Sequence, residues 1–432
     1  MAPRLLSARA QWDWAASYGH DGNAWVEILE GREDDFIRLS SSFDPRTYLG
    51  RGTVLQRDIR SMPIAAASDA MASYMSEASP FSPNGAWGSK TSLNTSAYGT
   101  QPIHMYVVDS THPRAVSQIW NATAIETPPL EVETYMRGPV PMADWMVPAQ
   151  NGDRGLAIYD TGTGIMRELF MAQKNSSGQW TGGGGYSVAQ PGLRNLAADN
   201  YALQQRRGLS NVAGMHNSLG FIGIGEALRG EITHALCFTA SALRMRRDDG
   251  PTPLEGSPLI SWPSRGSDGK LENYLPGGPQ HAQGKVWNGG TITPTHGQWG
   301  RLKAEVDPDH NPRTGKPYPR FLRMIIRAAK TYGLVATDTN LWCHAFNAEQ
   351  GRVWKHVYGM DPWATGGIIE QLYRDRYGNS EMAIHEFPWH MTEWAPIDWG
   401  RPSPDMNLRP GQIAPWFRDR PRPGWARAPD RG

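Results

Sequence analysis

The stretch GLAIYDTGTGIMRELFMAQK, residues 155–174, decides the fold class. Apolar residues lead up to Tyr159, and a second apolar run follows the segment Asp160-Thr-Gly-Thr-Gly. That segment concentrates the residue types that favour tight turns, and two apolar runs joined in this way are typical of a β-hairpin. We therefore predict that Asp160 closes the turn through its own backbone, with Gly162 or Gly164 at a positive φ.

Other apolar runs and a few helical stripes follow along the chain. Strands are predicted at residues 102–109, 231–240 and 334–339. Apolar residues at helical spacing predict short helices at 68–78, 222–230, 321–332 and 364–374. Of these, 321–332 has the clearest stripe and should be the longest or second-longest helix. The pattern predicts a mainly β fold, with an antiparallel β-sandwich-like central domain, a few short helices and extended terminal arms.

Composition divides the 432 residues into three predicted segments. Residues 1–76 form an N-terminal extension, residues 77–345 the β-rich central domain, and residues 346–432 a helix followed by a C-terminal arm. The stretch 400–432 holds seven prolines and seven arginines against three aspartates. Such a segment cannot build its own core, so it either stays disordered or lies along another surface.

Charge and hydropathy exclude several classes of protein. The 43 basic and 42 acidic side chains nearly cancel, so no overall positive field draws the chain to nucleic acid. No apolar run reaches the roughly 18 residues that a membrane-spanning helix needs. The first residues, MAPRLLSARAQW, lack the apolar core of a secretory signal. We expect neither a membrane span nor an export signal.

No motif predicts a metal or a cofactor. Cys237 and Cys343 are too few for a disulfide framework or a four-cysteine zinc site, and we interpret them as reduced core thiols, with one bridge as the alternative. The glycines at 182–185 lack the lysine of a phosphate loop. The histidines of HEFPWH, residues 385–390, are five apart with a proline between them, which does not fit a zinc-protease helix.

Asp160 and Glu168 flank the predicted turn and are the candidate catalytic pair of a glycoside hydrolase. Such enzymes use two carboxyl groups about 5 to 9.5 Å apart, and residues on either side of a hairpin can meet that spacing. Otherwise, Asp160 is a turn residue and Glu168 a surface strand residue. His234, in the run EITHALCFTA, is interpreted as a hydrogen-bonded core or edge histidine.

Tryptophans offer the second lead, since 18 of them exceed what packing normally requires. Sugar faces stack on aromatic rings that carry a polar group nearby. The candidates for glycan binding lie in Gly/Ser/Thr-rich loops and are Trp180, Trp262, Trp287 and Trp299. A second set is spaced like separate anchors for a sister subunit or a neighbouring protein: Trp389, Trp394, Trp399, Trp416 and Trp425. The alternative is a C-terminal segment that folds back on its own domain.

Several motifs of the central stretch, about residues 77–345, stand in an order that resembles a known family of β-rich proteins. The matching motifs are Tyr159-Asp160, Glu168, Trp180, Leu219–Gly225, Glu226–Gly230, Ile232 with His234-Ala235-Leu236, Ala329 with Tyr332-Gly333, and Asp338. The family includes secreted proteins of soil bacteria and minor tail proteins of siphophages of actinobacteria.

The resemblance implies a virion protein of the phage tail that is assembled in the host cytoplasm and needs no cofactor. We expect a minor tail or tail-tip protein that binds glycan of the host envelope and contacts other tail proteins through its terminal segments. A homo-oligomer is expected, with a trimer favoured. Two alternatives stay open: a virion-borne hydrolase of cell-wall polysaccharide, with Asp160 and Glu168 as its pair, and a decoration protein without glycan contact.

Overall fold

The computed structural model describes most of the central part of the chain, and the structural statements below concern these residues alone. The described residues are 37–39, 54–77, 91–95, 103–119, 121–124, 139–150, 153–163, 165–184, 186–189, 211, 213–240, 243–244, 260–264, 293–339, 343–374 and 384–400.

Short strands supply most of the regular structure. The strands are β1 (Ile37–Leu39), β2 (Ser92–Asn94), β3 (Met105–Val108), β4 (Gln118–Ile119), β5 (Asn121–Ala124), β6 (Pro139–Val140), β7 (Leu156–Asp160), β8 (Ile165–Leu169), β9 (Gln173–Lys174), β10 (Trp180–Gly184), β11 (Tyr186–Ala189), β12 (Leu236–Ala240), β13 (Trp299–Leu302), β14 (Leu334–Thr339), β15 (Ala345–Asn347) and β16 (Thr392–Trp394). The α-helices are α1 (Ser68–Glu77), α2 (Ile224–Arg229), α3 (Arg320–Thr331), α4 (Arg352–Tyr358) and α5 (Ile368–Tyr373), and short 3₁₀ helices lie at Val54–Gln56, Asn217–Leu219 and Trp389–Met391.

The predicted hairpin is confirmed. β7 and β8 pair antiparallel, with Leu156 opposite Leu169 and Asp160 opposite Ile165. The hairpin lies inside a five-stranded sheet of order β1-β3-β7-β8-β11. All five residues of each hairpin strand are buried, because both faces of this sheet are covered.

The second large sheet has six strands, in the order β16-β13-β14-β12-β15-β2. Both large sheets are mixed, since β3 runs parallel to β7, β12 to β14, and β15 to β2. The fold is therefore β-rich, but the prediction of an antiparallel domain is only partly right. Parallel neighbours need a crossover connection, and α3, which immediately precedes β14, lies in the connection from β12 to β14.

The predicted helices are present, with shifted ends. α3 is the longest described helix, at 12 residues, as its apolar stripe predicts. α2 ends at Gly230, which takes the left-handed conformation at φ 77° and so allows the chain to turn away. The helix predicted at 364–374 begins only at Ile368, because Gly366 has a φ of 84° that a helix cannot continue through.

The two large sheets are linked by isolated bridges. Ile103, just before β3, bridges to Glu349, and Ile222 bridges to Ala348. The Glu349 N–H donates to the Ile222 carbonyl at 2.9 Å. The segment that follows β15 therefore connects an edge of one sheet to residues beside the other, and we call these bridges the sheet junction.

Two groups of buried apolar side chains surround the sheets. The main core includes Ile158, Phe238, Phe346, Trp389 and Trp394. The second core lies on the opposite strand faces and has members from both large sheets, among them Ala157, Met166, Cys237, Val335 and Trp299.

The predicted boundaries at 76/77 and 345/346 do not separate independent units. The Trp394 N–H, on β16, donates to the Ser68 hydroxyl of α1 at 2.9 Å. Met71 and Met75 of α1 belong to the main core together with Trp394. The described parts of all three predicted segments therefore share one core, because the six-stranded sheet takes strands from the central and C-terminal segments and α1 covers it.

Among the described residues, no helix is both long and apolar enough to cross a membrane.

Candidate functional site

The Asp160 carboxylate holds the hairpin turn. It is buried and accepts hydrogen bonds from the Ser110 N–H at 3.0 Å and hydroxyl at 2.7 Å. It also accepts from the Gly162 N–H at 3.1 Å and the Thr163 hydroxyl at 2.6 Å. The predicted turn role of Asp160 is confirmed, since four donors occupy its two oxygens.

Gly162 serves the same turn through its small size. The φ of Gly162 is not positive, so the prediction of a positive φ is wrong for this glycine. The alternative position, Gly164, lies outside the described residues. A Cβ atom at Gly162 would lie 2.7 Å from Thr111 Cγ2 and 2.9 Å from Asp109 Oδ1. The glycine is needed because the neighbouring loop approaches closely.

Glu168 is completely buried, which overturns its interpretation as a surface strand residue. Its carboxylate accepts from the Asn217 N–H at 3.0 Å and the Ser218 N–H at 2.7 Å, and also from the Ser218 hydroxyl. His216 Nδ1 lies 3.8 Å away. Backbone donors about 50 positions along the chain satisfy this carboxylate, and no local pattern around Glu168 indicates such partners.

Asp160 and Glu168 do not form a catalytic pair. The hairpin register places Glu168 opposite Ala157, whereas Asp160 lies opposite Ile165. Because side chains alternate between the faces of a strand, Asp160 and Ala157, three positions apart, point to opposite sides of the sheet. Both carboxyl groups of a glycosidase must reach one sugar from a single cleft, so this arrangement contradicts the hydrolase alternative in which Asp160 and Glu168 are the pair.

The predicted glycan-binding tryptophans do not line an open groove. Trp180 and Trp299 are each only 1% exposed, and Trp262 is 7% exposed. Trp180 packs in the main core, whereas Trp262 and Trp299 belong to the second core. Their ring faces are covered by protein, so the prediction of a shallow groove on these rings is corrected. Trp287 lies outside the described residues.

The predicted partner anchors are also corrected. Trp389 and Trp394 are buried in the main core of the same chain, where Trp389 stacks on Phe346 with ring centroids 5.9 Å apart. The segment 384–400 thus folds back on its own domain, which was the alternative interpretation. Trp416 and Trp425 lie outside the described residues.

The structure does bring together tryptophans that the sequence placed in two separate sets. The rings of Trp299 and Trp399 meet edge to face, with centroids 6.2 Å apart and an interplanar angle of 87°. The guanidinium carbon of Arg57 lies 4.5 Å from the centre of the Trp399 ring. Trp262 lies beside them, next to Gly400. We call Arg57, Trp262, Trp299 and Trp399 the tryptophan corner.

Backbone and side-chain hydrogen bonds position the corner. The Ala395 N–H donates to the Trp299 carbonyl at 2.9 Å, which fixes the exit of the chain from β16. Asp398 then accepts from the Trp262 N–H at 2.9 Å through Oδ1, while its own N–H donates to the Ser261 hydroxyl at 2.9 Å. Asp398 has a φ of 64°, uncommon for a residue other than glycine. These bonds hold the turn that presents Trp399.

The corner offers a flat apolar ring beside a positive charge at the protein surface. Arg57 is exposed and Trp399 is half-buried. An aromatic ring with a neighbouring cation can bind the apolar face of a sugar through the ring and its hydroxyl groups through the cation.

A buried group of titratable residues lies near the sheet junction. The Ile224 N–H donates to the Glu349 carboxylate, and the Gly223 N–H donates to the Glu226 carboxylate, both at 2.9 Å. His234 Nε2 lies 3.1 Å from the Glu226 carboxylate, and its Nδ1 lies 2.8 Å from the Ala235 carbonyl. His234 is therefore the hydrogen-bonded core histidine that the sequence predicts.

The pKa values of these buried groups follow their surroundings. Burial lowers the pKa of His234, but the charge and hydrogen bond of Glu226 more than offset it, so the pKa is raised overall. Burial raises the pKa of the Cys237 and Cys343 thiols to about 12. Both cysteines are free and buried, which confirms that they are reduced core thiols.

In the described part of the chain, no cluster of three or more histidine, cysteine or acidic side chains could hold a metal ion. Comparison with known protein families, curated proteins and solved structures finds no match to this chain.

Proposed function

We propose that this protein is a minor tail or tail-tip protein of a siphophage of actinobacteria, and that it attaches the virion to glycan of the host envelope. The motifs around Asp160, Glu168 and His234 stand in the order that resembles the family of phage minor tail proteins, and this resemblance supports the assignment to a phage tail. The protein would act in the virion tail, after assembly in the host cytoplasm with other tail proteins. A trimer is the oligomer that we propose.

A sandwich-like central domain is part of the same proposal. Side chains of β7 and β12, including Ile158 and Phe238, belong to one main core although they come from different sheets. Two sheets that share a core in this way are typical of sandwich architectures.

The observation that carries the glycan-binding function is the tryptophan corner. Trp399 is the half-buried tryptophan of the corner. The Arg57 guanidinium lies over its ring, and the Arg57 side chain is exposed to solvent. The exposed Arg57 guanidinium beside this ring has N–H groups that can donate to sugar hydroxyl groups. The predicted glycan-binding rings within the described residues are buried, so the contact is assigned to Trp399, which the sequence placed among the partner anchors.

The test is co-sedimentation of the purified protein with cell-wall polysaccharide from an actinobacterial host. We expect the wild type to sediment with the polysaccharide without releasing sugar. Trp399→Ala should weaken binding by about tenfold, equivalent to about 1.4 kcal/mol. Trp145→Ala is the matched control, because Trp145 is also half-buried and packs against a neighbouring ring, in this case His356.

Three results would overturn the proposal or part of it. Release of sugar by the wild type would favour the hydrolase alternative, with a pair other than Asp160 and Glu168. No co-sedimentation at all would favour the decoration protein. Equal losses for Trp399→Ala and Trp145→Ala would remove the tryptophan corner as the binding site.

A further inference from the structure

His234 and Glu226 form a buried pair near the sheet junction. The His234 side chain is 1% exposed and the Glu226 side chain is 2% exposed. His234 Nε2 lies 3.1 Å from each oxygen of the Glu226 carboxylate, while Nδ1 lies 2.8 Å from the Ala235 carbonyl oxygen. Both nitrogens of one imidazole ring therefore face acceptors.

This geometry requires a protonated ring. A neutral imidazole has one N–H donor, whereas the imidazolium has two. A carbonyl oxygen can only accept, so Nδ1 donates to Ala235, and a second proton lies between His234 Nε2 and Glu226. The proton belongs to His234, because the Glu226 carboxylate also accepts from the Gly223 N–H at 2.9 Å. The two side chains therefore form a buried ion pair.

The pair joins residues 220–229 to the chain just before β12. Glu226 lies in α2, whereas His234 lies two residues before β12. A second contact lies beside the pair, where the Cys237 N–H donates to the Gly220 carbonyl at 2.8 Å. A Cβ atom at Gly220 would collide with the Cys237 thiol, so the backbone directly covers that sulfur. We call residues 220–229 the covering segment.

Other titratable side chains lie on the described elements around the pair. They are Glu349 after β15, Glu370 and Tyr373 on α5, Arg229 and Glu231 at the end of α2, and Cys237 on β12. Glu349 accepts from the Ile224 N–H at 2.9 Å, and Glu370 is paired with Arg374 at 2.8 Å. Each of these two carboxylates therefore has a donor of its own.

Glu226 sets the protonation of His234. Burial alone lowers the pKa of His234, but the charge of Glu226 and its hydrogen bond more than offset burial. Burial also raises the pKa of Tyr373, and it raises that of Cys237 to about 12, so these two groups stay neutral at neutral pH. The proton that the pair loses as the pH rises is therefore that of His234.

We infer that the His234–Glu226 pair is a pH-sensitive latch, and that loss of the His234 proton favours local opening of the covering segment above Cys237. A neutral ring keeps one N–H, so either the Ala235 carbonyl or the Glu226 carboxylate loses its donor. Removing one charge of a buried pair is strongly destabilising, because the other charge stays buried without compensation. The loss falls on α2, a helix of six residues whose N-terminus is capped by Glu226.

Linkage gives the pH dependence of the opening a defined form. In the open state, His234 has the ordinary histidine pKa of about 6.5, whereas its pKa is raised in the closed state. The proton therefore holds the latch fully closed below pH 6.5, and this contribution is lost as the pH rises through the raised value. Between the two pKa values, the open population increases by up to tenfold per pH unit.

The test measures how well the covering segment protects Cys237 in the full-length protein. Iodoacetamide labels the thiols, and peptide mass spectrometry follows Cys237 and Cys343 separately. Each rate is divided by the rate of the same cysteine in urea, which removes the effect of pH on the thiol itself. Cys343 reports global unfolding, since it is also buried with its pKa raised to about 12. We expect Cys237 to be labelled faster than Cys343, with a relative rate that rises by up to tenfold per pH unit above pH 6.5.

A direct titration and two variants complete the test. Nitrogen NMR of isotope-labelled histidine should show both His234 nitrogens protonated below pH 6.5 and a pKa above that value. Glu226→Gln keeps an acceptor for the Gly223 N–H but removes the charge, so the rise in Cys237 labelling should disappear. His344→Gln is the matched control, because burial lowers the pKa of His344 to about 4 and this histidine does not titrate in the range. It should keep the rise.

Four results would each overturn the latch. They are a His234 pKa at or below 6.5, Cys237 protection that is constant above pH 6.5, equal labelling of both cysteines at every pH, and a Glu226→Gln variant that keeps the rise. Equal labelling would mean that the thiol is reached by global unfolding. If Glu226→Gln does not fold, the wild-type titration and labelling still decide.

Discussion

Trp394 and Trp399 lie five residues apart, yet they belong to different regions of the molecule. Trp394 is the last residue of β16 and is fully buried, with its Nε1–H donating to the Thr392 hydroxyl at 3.0 Å. Trp399 follows after the chain has left the sheet, and it is half-buried beneath an exposed arginine. The comparison shows that tryptophan content alone does not distinguish a core from a binding surface.

The difference between the two regions is set by what surrounds each ring. The ring centroids of Phe238 and Trp394 lie 6.4 Å apart, and both residues belong to the main core, so apolar side chains surround Trp394. Trp399 has a charged group on its ring instead. We therefore expect changes near Trp394 to lower stability, and changes near Trp399 to lower binding.

The largest expected effect of a single substitution is that of Trp394→Ala. Truncating a fully buried tryptophan removes its apolar burial and leaves a cavity, at a cost of about 3–5 kcal/mol in the free energy of unfolding. Urea denaturation measures this loss. Trp399→Ala is the comparison variant and should lose less than half as much. Similar losses for the two variants would contradict the division into core and surface.

Acidification should affect the core and leave the corner unchanged. Burial lowers the pKa of His104 to about 3, and those of His296 and His344 to about 4. Because their folded pKa values lie below the unfolded value of about 6.5, the unfolded chain takes up more protons, and stability is lost as the pH falls from about 6.5 towards 4. The loss approaches 1.4 kcal/mol per pH unit for each histidine.

His234 has the opposite sign. Its raised pKa gives a contribution that is present below the unfolded pKa and is lost as the pH rises through the folded value. Urea denaturation at pH 7, 6 and 5 measures the net slope, and His344→Gln should make it shallower. Glycan binding by the folded protein should be unchanged to about pH 5.5, because none of these buried histidines belongs to the tryptophan corner. Stability independent of pH between 7 and 5 would contradict this account.

The smallest expected effect concerns the buried carboxylates. Asp160→Asn and Glu168→Gln should each lower the free energy of unfolding by about 1–3 kcal/mol, since each change replaces an acceptor of several hydrogen bonds by a group that is half donor. Binding to polysaccharide should be unaffected, because both carboxyl groups are buried and neither belongs to the tryptophan corner. Loss of binding in a variant that is still folded at the assay temperature would connect these residues to function.

Local patterns predicted the features whose causes are local. The turn at Asp160 and the stripe of α3 depend on residues within a few positions of each other, and both were correctly predicted. The burial of Glu168 depends on the N–H groups of Asn217 and Ser218, and the tryptophan corner depends on Arg57 and Trp399, which are far apart in sequence. No periodicity or motif in one segment reports a partner in another.

The pairing of β2 with β15, together with the sheet junction, has a consequence for synthesis on the ribosome. β2, at residues 92–94, pairs with β15, at 345–347, and Ile103 bridges to Glu349. Translation at about 5–20 residues per second leaves these early segments without their native partners for on the order of ten seconds to a minute. During that interval, the nascent chain carries strand-forming residues with unsatisfied backbone groups, which other chains can pair with. Efficient production of the protein therefore depends on what shields that emerging segment.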